Sequence, residues 1–190
     1  MTLPALGHAL LGLLARSPGT GYTLSRGLRR PIGYFWVSGH SHIYPLLARL
    51  EADGLITHTV VDGAGPRETK EYRITKAGRK VLSEWVLTQP PAPVERDEFM
   101  LRIWSGWTAD PTQMAELIRT RRATHQATLA EYEATAGELL AENPSADRDP
   151  SRPVFWTMAT LRRGISFERH ALDWCDDLLD RLAATHVPEH

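Results

Sequence analysis

Apolar residues recur at helical spacing over most of the chain. In residues 3–15, Leu6, Ala9, Leu10, Leu13 and Leu14 fall on one side of a predicted helix. Ser17-Pro18-Gly19 breaks it, and Gly21-Tyr22-Thr23-Leu24 opens a second helix that should end near Arg30, before Pro31. The stretch 38–55 organises this part of the chain. Ile43, Leu46, Leu47 and Leu50 stand at i, i+3, i+4 and i+7 and predict a third helix over 41–53. Ser38 and Ser41 are candidate N-caps, and Gly54 suits the left-handed residue that ends a helix. Pro45 is tolerable only near the helix start, where a backbone donor has no intrahelical partner. The face opposite the apolar stripe carries Ser41, Pro45 and Ala48, flanked by Ser38, Tyr44 and Arg49. It is small and polar, as a helix entering a groove requires.

The period then changes. Residues 55–61 are rich in β-branched side chains and predict a strand; 62–66 form a turn and 69–74 return as a second strand. The hairpin has the form of a wing, with Arg67, Lys70, Arg73 and Lys76 on or just beyond it. Thr75 is a candidate N-cap for a helix over 76–87, after which Gln89-Pro-Pro-Ala-Pro93 makes a stiff linker. The domains expected are therefore 1–88, a linker over 89–94, and 95–190. In the second domain, 96–104 predicts a short amphipathic helix, and Asp110-Pro111 opens a long one to Glu142. Its seam is Ala115, Ile118, Arg122, His125, Leu129, Tyr132, Ala136 and Leu139. After a proline-rich loop over 143–153, the last helix carries Met158, Leu161, Ile165, Glu168, Leu172, Cys175, Leu179 and Leu182 on its seam. Two seamed helices joined by a short loop predict an antiparallel hairpin. With that hairpin centred near Arg148, Glu168 should stand level with Thr128, about one turn from His125. Glu168 then either pairs with Arg122 or His125 or turns to solvent. The fold class expected is mainly α with a small β-hairpin.

These residues carry a resemblance. Trp36, Ser38 and the run Ile43-Tyr44-Pro45-x-Leu47-x-Arg49-Leu50-Glu51-x-x-Gly54-Leu55-Ile56 are similar to the signature of the PadR family of bacterial transcriptional regulators. Gly21-Tyr22-x-Leu24 and Tyr72-x-Ile74-Thr75-x-x-Gly78 extend the similarity. It implies an N-terminal winged helix-turn-helix. Arg96-Asp97-x-Phe99-x-Leu101, Leu161-Arg162-x-Gly164 and Trp174 resemble the C-terminal domain of the virulence-activator-like PadR group.

Charge and composition sharpen the expectation. Up to Gln89 there are 11 Lys and Arg against 6 Asp and Glu, a balance of +5; beyond it, 11 against 17, or −6. A basic first half beside an acidic second half suits contact with a polyanion. The lone Cys175 excludes an intrachain disulfide framework and suits a reducing, cytoplasmic setting. No stretch has the length of a membrane span. No phosphate loop, zincin motif or nucleophile elbow occurs, so no catalytic activity, cofactor or metal is expected. His40 and His42 lack further ligands at useful spacing.

The function expected is that of a dimeric, sequence-specific DNA-binding repressor. Ser38, His40, Ser41, His42, Tyr44, Pro45 and Arg49 would meet double-stranded DNA from the helix, and Arg67 and Lys70 from the wing. Ile118, His125, Leu129, Tyr132, Leu161, Ile165, Leu172 and Leu179 would form the homodimer interface. Trp104, Trp107, Trp156 and Trp174 would either pack in the core or enclose a small aromatic effector, to which some family members respond. The competing function is a protein-interaction adaptor whose winged-helix domain does not bind DNA.

Overall fold

A computed structural model describes residues 3–29, 43–61, 69–92 and 96–184. The predicted caps Ser38 and Ser41, the wing tip over 62–66, and His40, His42 and Arg67 lie outside those residues. The chain divides into two compact units, Met1–Pro91 and Ala92–His190.

In the first unit, α1 (Ala5–Arg16), α2 (Gly21–Arg29) and α3 (Ile43–Ala52) surround a core of leucines. Leu10, Leu11, Leu47, Leu50 and Ile56 are wholly or almost wholly buried there. Truncating such a side chain to Ala costs about 2–5 kcal/mol, so this cluster dominates the unit's stability. Helix α3 ends as its sequence requires. Gly54 adopts φ +70°, Leu55 N–H donates to Leu50 C=O, and Gly54 N–H donates to Glu51 C=O, both at 2.9 Å. These are the two bonds of a Schellman stop.

Strands β2 (Ile56–Val61) and β3 (Thr69–Ile74) pair antiparallel, with Ile56 opposite Ile74 and Val61 opposite Thr69. A further strand, β1 (Gly19–Thr20), adds to the outer edge of β3, giving the order β1-β3-β2. The hairpin is thus a three-stranded sheet. Two residues carry no alternation, and their pairing with Tyr72 and Glu71 depends on chain some fifty residues away, so no local pattern announces β1. Helix α4 (Lys76–Val86) follows, capped by Thr75, whose hydroxyl oxygen accepts from Gly78 N–H.

The second unit contains α5 (Glu98–Trp104), α6 (Pro111–Glu142) and α7 (Pro153–Ala184). Asp97 and Asp110 cap α5 and α6 by accepting backbone N–H bonds. The two long helices form the antiparallel hairpin, and every residue of both predicted seams is buried or half-buried. Ile118, Tyr132, Leu161 and Cys175 are among the buried ones. The loop between the helices is itself ordered by Asp149, which accepts from the Ser151 N–H and hydroxyl, and by Trp156 Nε1–H, which donates to Pro150 C=O at 2.9 Å.

Candidate nucleic-acid interface

Helix α3 turns its stripe inward and its polar face outward. Ile43, Leu46, Leu47 and Leu50 are buried, while Tyr44, Pro45, Ala48 and Arg49 are exposed. Pro45 occupies the third residue of α3, so its missing N–H removes no helical bond. Tyr44 is 66% exposed, a high value for an aromatic ring on a folded surface. Arg49 Nε lies 3.8 Å from Asp53 Oδ2, a loose contact on a side chain still 42% exposed. A surface pair of that kind is worth little, so the guanidinium remains available to another anion.

The orientation of α3 is set by contacts that sequence spacing does not reveal. His58 on β2 donates through Nδ1 to Glu51 Oε1 at 2.5 Å, and its ring lies 5.9 Å from the Tyr72 ring on β3. The helix is thereby tied to the sheet. Tyr72 is buried, and that burial, with Glu51 and Tyr44 nearby, raises its phenol above the ordinary range. Lys70 shares its strand face with Tyr72 and Ile74, because side chains on a strand alternate. It lies on the helix side of the sheet but past the buried core, and it is exposed. Arg73 is paired with Glu71 at 2.7 Å. Tyr22, 67% exposed on α2, is a second surface aromatic that the helix-face pattern alone did not single out.

In the second unit, the residues expected at a dimer interface are used first within the chain. Ile118, Tyr132 and Leu161 are at most 7% exposed inside the α6–α7 hairpin, and His125, Leu129, Ile165, Leu172 and Leu179 are half-buried along it. His125 Nδ1 donates to Glu168 Oε2 at 2.5 Å. Arg122 makes a two-pronged bond to Asp176, Nε to Oδ1 at 2.5 Å and Nη2 to Oδ2 at 3.0 Å. That bond holds the Asp176 carboxyl below the usual range.

The four tryptophans do not enclose one cavity, which corrects the expectation of an effector site built from them together. Trp156 and Trp174 are eighteen residues apart on α7, about 27 Å at 1.5 Å per residue. Trp174 meets Phe99 edge-on at 6.2 Å, Trp156 packs on Phe155, and Trp104 is 81% exposed. Trp107 alone of the four lines an open apolar groove of about 270 Å³, with Ile103, Met114, Ile118, Leu178 and Leu182. Burial, then Asp176, raises the Cys175 thiol, the reverse of what a nucleophile needs. No cluster of metal-ligating side chains occurs among the described residues, and no described helix is long and apolar enough to cross a membrane.

Comparison with known proteins agrees with this geometry. A model described as the transcriptional regulator PadR-like family matches residues 10–84, and one described as virulence activator alpha C-term matches residues 95–183. The chain is 27% identical to the negative transcriptional regulator PadR of Bacillus subtilis over 175 residues, covering 92% of this chain and 95% of that protein. The crystal structure of that PadR in complex with operator DNA is similar with a TM-score of 0.85 at 26% identity, covering 96% of this chain and 99% of the other. Its complex with p-coumaric acid gives 0.77 at 26% identity over 95% and 99%. The virulence activator AphA of Vibrio cholerae gives 0.71 at 27% identity over 95% and 99%.

Proposed function

The chain belongs to the PadR-like transcriptional regulator family and is a regulator, not an enzyme; we propose that it works as a homodimeric repressor in the cytoplasm, reading double-stranded operator DNA with the outward face of α3. The observation that carries this is the division of α3 itself. Its four aliphatic residues are buried, while Tyr44, Pro45, Ala48 and Arg49 form a small, uncrowded face with one loosely held cation. Such a face fits a major groove, where hydroxyl and guanidinium groups meet base edges. Lys70, with Arg67 beside it in sequence, would hold phosphates from the wing and supply affinity without sequence information. The likeness to PadR bound to operator DNA supports the same reading.

A single winged helix covers few base pairs, so specificity calls for two copies on a near-palindromic site. The second unit suits that role. Outside its hairpin seam it exposes Leu101, Trp104, Trp107 and Phe167, more large apolar surface than a solvated helix pair carries by habit. Relief of repression by a small aromatic molecule is in keeping with the p-coumaric acid complex of the Bacillus relative. The groove beside Trp107 is an apolar concavity with room for a flat ring of that size.

A mobility-shift assay on the DNA upstream of its own gene, at two salt concentrations, tests the proposal. The expected result is operator binding that weakens with salt yet stays well above binding to an unrelated duplex. Equal, feeble binding to both duplexes would point instead to an adaptor that binds protein.

A further inference from the structure

The tyrosine on the α3 face is exposed, but it is not loose. Its ring lies across the first residue of α2: a Cβ built on Gly21 would stand 2.6 Å from Tyr44 Cε1, 3.1 Å from Cζ and 3.3 Å from the hydroxyl oxygen. No side chain other than hydrogen leaves room for the phenol there. The backbone at this point is held from both sides. Immediately before it, Gly19 and Thr20 pair with Tyr72 and Glu71 in the sheet. Around it, Thr20 and Thr23 exchange bonds, Thr20 N–H donating to Thr23 Oγ1 at 2.8 Å and Thr23 N–H to Thr20 Oγ1 at 3.2 Å. This is a capping box, which fixes the first turn of α2. A methyl group added at Gly21 therefore meets a rigid backbone on one side and a mostly solvent-exposed ring on the other. The ring gives way.

We propose that Gly21 is a positioning residue for DNA recognition: by presenting bare backbone at the start of α2, it seats the Tyr44 phenol in the single orientation from which α3 reads its operator. The proposal rests on the reading of the α3 face given above. Direct readout tolerates errors of only about half an ångström, so a seated phenol contributes specificity that a freely rotating one does not. The influence of Tyr44 on the buried Tyr72 fits a ring whose phenol, though exposed, leans toward α2 and the sheet.

The test uses the full chain and a duplex that the wild-type protein selects from a random-sequence pool, with an unrelated duplex as reference. Gly21→Ala, Tyr44→Ala and the double variant are compared for binding to both duplexes and for melting temperature. The expected result is a loss of preference for the selected duplex of about five- to a hundredfold in each single variant, with little change on the unrelated duplex. The double variant should be no worse than Tyr44→Ala alone, because coupled residues do not add. Adding Gly21→Ala to Tyr44→Ala should also leave the melting temperature unchanged, since the methyl then has no ring to strike. Loss of preference in Tyr44→Ala with none in Gly21→Ala would overturn the proposal alone, as would fully additive losses. A melting temperature lowered by Gly21→Ala in both backgrounds would also overturn it, because the clash would then lie elsewhere. Retained preference in Tyr44→Ala would overturn the reading of the helix face and the proposal with it.

Discussion

His125 on α6 and Glu168 on α7 form a buried hydrogen bond across the hairpin, Nδ1 to Oε2 at 2.5 Å, with side chains only 12% and 10% exposed. With Arg122 it supplies the polar steps of a mostly apolar seam, and a buried polar pair of this kind favours one register. A slip by one turn toward Leu129 would carry Glu168 into aliphatic neighbours with no partner, and burying a lone carboxylate is costly.

Removing one partner should therefore hurt more than removing both. His125→Ala leaves a buried, unpaired carboxylate and is expected to destabilise the second unit by about 3–5 kcal/mol, whereas His125→Leu with Glu168→Leu should be near neutral. Chemical denaturation of the three proteins measures this. A double variant as unstable as the single one would mean that the pair is required for stability itself and not mainly for register.

Arg49 and the wing cations should fail in different ways. Arg49→Ala should reduce preference for the operator over other DNA, in proportion to a base contact of about 1–3 kcal/mol. Lys70→Ala or Arg67→Ala should weaken binding to all sequences alike and lower the slope of log K against log salt by about one each. Titrations at several salt concentrations separate the two behaviours; an unchanged slope in both wing variants would remove the wing from the interface.

The first unit should be acid-sensitive through His8. Its imidazole is buried, stacked on Trp85 with ring centroids 4.4 Å apart and planes within 10°. Burial lowers its pKa, against a smaller opposing pull from the Pro4 carbonyl. Below about pH 6.5 an unfolded chain then binds more protons at this site than the folded one. The contribution of His8 to stability is full above that pH and is lost as the pH falls through the folded pKa. His8→Phe keeps a ring on Trp85 and should flatten the fall in melting temperature between about pH 7 and pH 5. An identical slope in both proteins would assign the acid sensitivity to other groups.

Dimerisation should depend on the second unit. Truncation after Pro93 is expected to yield a monomer with weak, salt-sensitive DNA binding, measured by sedimentation and mobility shift. A truncated protein still dimeric at micromolar concentration, with full operator affinity, would place the dimer interface elsewhere.

Much of this protein was legible in the order of its residues, because burial in a helix leaves a period and a cap leaves a residue type. The stripe Ile43, Leu46, Leu47 and Leu50, the stop at Gly54, the caps Thr75 and Asp110 and both hairpin seams are local consequences of side-chain chemistry. Periodicity tells which face is buried; it is silent on what covers that face. Only the tertiary structure decided that Glu168 takes His125 while Arg122 reaches past the seam to Asp176. The same holds for Glu51 reaching His58, for β1 pairing with a distant strand, and for tryptophans that share a unit without sharing a cavity. The seat of Tyr44 on Gly21 belongs with these. Each depends on how two separately formed elements approach one another, a distance and an angle set by the whole core and written in no single stretch of chain.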